Sequence, residues 1–255
     1  MPAHSESLFA QCRWPDLPAP YANALREAVQ FILERCPDAQ GIVVSGTILR
    51  GNPAPSSDLD IYVIRRELQR QRVQKFFNGV PAEIFINPAK KVADYFAAEQ
   101  RDARPITAHM LNTGFTILDC DGVIAGLHAH ARQLLQTPPD PSAEALTFAR
   151  YMAATRYEDA TDIANTRPET ARMILGLAVH AMLRYHFLAD HRFVPRDKDL
   201  LAVLEAWDAP LGALVRCFYG AVTLEEALDA AEQIADRTIA THGFFEWESK
   251  PEAVE

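Results

Sequence analysis

Cysteine is sparse and unpatterned in this 255-residue chain: Cys12, Cys36, Cys120 and Cys217 lie far apart without a CxxC spacing. That argues against both a cysteine zinc site and a disulfide framework. No apolar run approaches the roughly 20 residues needed to cross a bilayer. The opening stretch MPAHSESLFAQCRWPDLPAP lacks the basic start and apolar middle of a secretory signal. A cytoplasmic chain with no membrane partner is therefore expected. Positive charge is short as well: 25 Lys and Arg stand against 34 Asp and Glu, for a net charge of −9. Such a field repels polyanions, which makes nucleic acid an unfavourable partner and neutral or cationic small molecules better ones. Internal repeats and low-complexity segments are absent, and nothing fixes an oligomeric state, a homodimer being compatible with the composition.

What is present is ordinary globular material, 49% hydrophobic and 23% charged, enough for one large domain or two modest ones. After a proline-rich lead, residues 21–36 place apolar side chains at helical spacing. GIVVS and DLDIYVI then read as two short buried strands, and RVQKFF and VPAEIFI as a hairpin turned at Asn78-Gly79. A helix over 67–76 is the competing reading of that segment. Two helices, the strand FTILDC and a further helix follow, up to about residue 135. The stretch QTPPDPS breaks helix and strand alike and suits a domain boundary. Beyond it the periodicity is helical throughout, with Ser142 as a cap, Pro168 in a first turn and a Thr223/Glu226 capping box. The expectation is an α/β domain with a mixed sheet over 1–137, an all-α helical bundle over 142–245 and a tail over 246–255.

The chemistry concentrates in SGTILRGNPAPSSDLDIYVI, residues 45–64. Side chains alternate faces along a strand, so Asp58 and Asp60 point one way while Leu59 and Ile61 point into the core. In VPAEIFI the same alternation isolates Glu83 on the face opposite Ala82, Ile84 and Ile86. If the two strands are neighbours, three hard anionic oxygens converge, a donor set suited to Mg²⁺ shared with substrate phosphates. Upstream, Gly46 lets the backbone approach an anion, and the Thr47 hydroxyl and nearby N–H groups can donate to it. Ser57 directly precedes the aspartates.

This ordered set, Gly46-Thr47, then Ser57-Asp58-Leu59-Asp60, then Glu83, resembles the nucleotidyltransferase superfamily typified by DNA polymerase β. Thr47 stands where Ser is commoner. The helical second domain makes the layout look like that of the bacterial aminoglycoside adenylyltransferases. The resemblance implies an Mg²⁺-dependent nucleotidyltransferase in which Asp58, Asp60 and Glu83 are the catalytic metal ligands for two ions. Gly46, Thr47 and Ser57 would meet the nucleotide, with Lys198 of the bundle reaching the triphosphate. ATP or another NTP is the implied donor, and a hydroxyl of a small, aminoglycoside-like molecule the acceptor. The alternatives are a toxin-type nucleotidyltransferase acting on tRNA or a partner protein, and a catalytically silent nucleotide-binding module.

Other features carry plainer readings. Glu83 could instead be an edge-strand solubility charge. A second Asp-x-Asp, Asp119 and Asp121 ahead of Gly122, reads as turn chemistry. The basic run over 65–75 reads as a solvated rim, with a polyanion contact as the other reading. Glu158, Asp159 and Asp162 form either a solvated helix face or an acidic wall for a cationic acceptor. His180, Arg184 and His186 suit structural hydrogen bonds, and Trp207 and Tyr219 suit core packing.

Overall fold

The structure, a computed structural model, describes residues 3–51, 53, 57–251 and 253. The chain divides into two compact units, residues 1–137 and 138–255.

The first unit is built on a five-stranded mixed sheet of β1 (Ala39–Ser45), β2 (Leu59–Arg65), β3 (Gln71–Phe77), β4 (Val80–Pro88) and β5 (Phe115–Asp119), in the order β3-β4-β2-β1-β5. β2 and β4 are parallel and every other pairing is antiparallel. The segment 71–88 is a hairpin and not a helix: Asn78 and Gly79 take φ of 46° and 78°, the left-handed values that a two-residue turn requires. Because β2 and β4 carry apolar side chains on both faces, they need a cover on each side. α2 (Ala19–Arg35) packs Leu25, Val29, Ile32 and Leu33 onto Ile42, Leu59, Ile61 and Ile84 on one face. α3 (Ala89–Arg101), α4 (Ile106–Thr113) and α5 (Val123–Gln136) cover Val43, Tyr62 and Ile64 on the other.

One element departs from expectation. The proline-rich lead begins with a helix, α1 (Ala3–Gln11), whose Leu8 is buried against α2 and whose Ser5 hydroxyl donates to the Leu33 carbonyl at 3.0 Å. Its local signals are weak, and the fold supplies what they lack.

The second unit contains α6 (Ala143–Ile163), α7 (Pro168–Ala189), α8 (Asp197–Trp207), α9 (Ala209–Gly220) and α10 (Leu224–Thr238), around a core that includes Leu175, Met182, Phe187, Leu204, Val215 and Ile234. Ser142 caps α6 by accepting from the Ala145 N–H at 3.1 Å. Thr223 and Glu226 form the reciprocal capping box of α10. No helix among the described residues is long and apolar enough to cross a membrane.

Candidate functional site

Register decides where the acids go. In the ladders Ser45 faces Asp60, and Asp60 faces Glu83. Asp60 and Glu83 thus stand side by side on adjacent strands, on the face they share with Tyr62 and Phe85. Asp58 lies just ahead of β2. One carboxylate oxygen from each of Asp58, Asp60 and Glu83 lies within 4.8 Å of the others, and all three residues are partly buried. Unit charges of like sign at that distance of 4.8 Å repel by about 1 kcal/mol per pair in water, and about four times that at an effective dielectric of 20. A cluster of this kind could hold a hard divalent cation. β4 is flanked by β2 and β3, so Glu83 occupies an interior strand and the edge-charge reading does not apply.

The glycine-threonine corner joins the same place. Gly46 takes φ of +105°, a value L side chains rarely adopt, and a Cβ there would stand 3.0 Å from Asp60 Oδ2 and 3.5 Å from the Asp58 carbonyl oxygen. The conformation and the close approach therefore both favour a residue without a side chain. After it, residues Thr47–Arg50 make a turn of 3-10 helix ended by Gly51 in the left-handed conformation. The Thr47 and Ser57 hydroxyls lie 3.0 Å apart, tying the corner to the segment that leads into the aspartates. Residues 52 and 54–56 of the intervening loop lie outside the described residues.

With this geometry in place the fold can be compared with known ones. No family model and no curated protein matches the chain at the sequence level. The fold is nevertheless that of a nucleotidyltransferase-like protein. The solved structure of such a protein from Exiguobacterium sibiricum 255-15 superposes with a TM-score of 0.53 at 14% identity, over 83% of this chain and 73% of that one. The likeness is one of fold, and it extends beyond the sheet unit.

The basic run is the solvated rim that its sequence suggests, with Arg66, Arg70, Arg72 and Lys75 exposed, and most of its charges also have partners on that surface. Arg65 pairs with Asp38 at 2.9 Å and with Glu67, and Arg66 with Asp121 at 3.3 Å. Arg70 donates to the Tyr95 hydroxyl at 3.0 Å. Arg72 donates to Glu83 Oε1 while its guanidinium lies 4.9 Å from the centre of the Phe85 ring, and Gln74 donates to the same oxygen at 2.9 Å. Single-sequence reasoning missed Arg72 and Gln74 as site residues. Only the hairpin register, which sets Gln74 opposite Glu83 and Arg72 opposite Phe85, reveals them.

The second Asp-x-Asp is used structurally. Asp119 accepts from the Ile124 and Ala125 N–H groups at 2.9 and 3.1 Å, satisfying the start of α5, and Asp121 sits in a left-handed turn at φ 61°.

In the second unit, Lys198 is exposed in the first turn of α8. Its neighbour Asp199 pairs with Arg196 at 2.6 Å. His186 lies 3.3 Å from Asp208 and stacks on Trp207 at 4.8 Å, a structural role for both rings. His180 lies 3.5 Å from Asp197. Tyr219 is a further correction: it is 61% exposed, held edge-on to Phe218 and not packed in the core. On α6, Asp159 and Asp162 are exposed and Glu158 is half-buried.

Proposed function

We propose that the chain is an Mg²⁺-dependent nucleotidyltransferase that moves a nucleoside monophosphate, AMP from ATP by default, onto a hydroxyl of a small cationic acceptor. The observation that carries the proposal is the convergence of Asp58, Asp60 and Glu83 within 4.8 Å beside a glycine whose positive φ and close approach disfavour a side chain. The fold likeness supports the same reaction class, and the net charge of −9 supports a cationic acceptor of the aminoglycoside kind.

Asp58 and Asp60 would hold the metal and Glu83 would complete its shell; three carboxylates leave room for water and phosphate oxygens, as Mg²⁺ prefers. Bound there, Mg²⁺ neutralises charge on the triphosphate and the leaving pyrophosphate and makes the acceptor hydroxyl more acidic. Gly46, with its backbone against the acids, and Thr47 donate to phosphate oxygens, and Ser57 holds the Thr47 hydroxyl in place. Lys198 is the proposed nucleotide contact of the helical unit. The acceptor oxygen attacks the α-phosphorus as the bond to the β-phosphate oxygen breaks, and Glu83 takes the hydroxyl proton.

The test is pyrophosphate release with ATP and Mg²⁺ over a panel of hydroxylated acceptors weighted toward amino sugars, repeated with Asp58→Ala and Asp60→Ala. Turnover that depends on both aspartates supports the proposal. Turnover untouched by either substitution refutes the site, and nucleotide binding without turnover on any acceptor identifies a silent module instead.

A further inference from the structure

Three strands place two short rows of side chains on the face of the sheet that carries the acids. One row runs Asp60, Glu83, Gln74 across β2, β4 and β3, and the row beside it runs Tyr62, Phe85, Arg72. Tyr62 and Phe85 are stacked, with ring centres 5.9 Å apart and planes inclined by 14°. The guanidinium of Arg72 lies against the far ring of that stack and turns back across the ladder onto Glu83. Its side chain is 63% exposed while the Glu83 side chain is 14% exposed. Both Arg72 and Gln74 donate to Oε1. A carboxylate offers about four lone-pair directions over its two oxygens, so this leaves Glu83 able to bind an ion at the same time.

We propose that Arg72 sets the charge of the metal site. With Arg72 in place, the formal charge of Asp58, Asp60, Glu83 and Arg72 together is −3 plus 1, or −2, which a single divalent cation neutralises. A second cation then gains little until a triphosphate brings its own negative charge. Arg72 thereby makes full loading of the site depend on nucleotide and keeps the free protein from filling with metal alone. Gln74 gives the arrangement its specificity. It is a neutral donor on the same oxygen, so Glu83 keeps a hydrogen-bonded orientation when the arginine charge is removed, and the effect of that removal is read as charge.

The inference rests on the metal-site reading above, and direct ion binding separates the two. Mn²⁺ binding to the full chain is followed by loss of the free-ion paramagnetic resonance signal, without nucleotide, for the native protein, Arg72→Met, Arg72→Lys and Asp60→Asn, each checked for native circular dichroism and melting. Arg72→Met keeps an apolar stem for the Phe85 ring and loses the charge. It should bind the first Mn²⁺ about fivefold more tightly, the order expected for one exposed unit charge near a divalent ion. It should also take up a second ion without nucleotide. Arg72→Lys should bind as the native protein does. The difference between native and Arg72→Met should shrink as salt rises from low to high, because a 63% exposed charge is screened. Unchanged or weaker Mn²⁺ binding by Arg72→Met, with native binding that disappears in Asp60→Asn, overturns the role of Arg72 while leaving the metal site standing. Absence of Mn²⁺ binding by the native protein overturns both.

Discussion

The sheet unit contains the same tripeptide pattern twice, and the two copies have opposite fates. Asp58 and Asp60 open β2, and Asp119 and Asp121 close β5. At the first, a parallel neighbour delivers Glu83 and a glycine corner delivers bare backbone, so the carboxylates face one another. At the second, the two carboxylates have separate partners: Asp119 the first N–H groups of α5, Asp121 the exposed Arg66. The pair of aspartates is therefore not what makes a site. The strand next to it and the turn before it do.

The largest break in this comparison is expected at the first pair. Asp60→Asn should lower nucleotidyl transfer by about a thousandfold, since a lost ligand removes stabilisation of charge developing in the transition state. Steady-state pyrophosphate release, with a melting curve that stays native, checks it. Gly46→Ala should come next. An alanine must adopt φ of +105° and bring its Cβ to 3.0 Å from Asp60 Oδ2, at a cost of about 1 to 3 kcal/mol in denaturant unfolding together with weaker divalent-ion binding. A variant as stable as the native chain would show that the corner tolerates a side chain. At the second pair, Asp119→Ala should cost about 1 kcal/mol through the lost cap and leave divalent-ion binding unchanged.

The Asp38 pair with Arg65 sharpens the contrast between the acids of the candidate site and acids that hold structure. Burial pushes the Asp38 carboxyl up, but the Arg65 guanidinium and the Glu67 N–H outweigh it and leave the pKa below its ordinary value. A depressed folded pKa contributes stability above the unfolded value, near 4, and loses it as pH falls through the folded one. Asp38→Asn should therefore be less stable than the native chain by under about 1 kcal/mol at pH 7, with the gap closing below pH ~4 in urea titrations. The smallest effect belongs to Asp121→Asn, under about 0.5 kcal/mol, because its pair with Arg66 is exposed and Asn tolerates the left-handed turn.

Much of the fold is legible in single residues. Alternation alone isolates Glu83, Asn78-Gly79 marks the hairpin, and Ser142 and Thr223 with Glu226 mark helix starts that the structure shows. These signals are local, and local chemistry survives folding. α1 was not legible, because its stability comes from Leu8 and Ser5 meeting α2, Ser5 through a bond to a residue 28 positions further along the chain. Arg72 was not legible either: in a run of five basic residues nothing distinguishes it until strand register sets it beside Phe85 and within reach of Glu83. Tyr219 shows the converse, an aromatic residue in an apolar helix that the turn of that helix leaves in solvent.

The most direct test of the central claim is anomalous diffraction from crystals grown with Mn²⁺ and a non-hydrolysable ATP analogue. The account predicts manganese peaks among the carboxylates of Asp58, Asp60 and Glu83, with triphosphate density against Gly46 and Thr47. Manganese bound instead at Asp119 and Asp121, or none near Glu83, would contradict it.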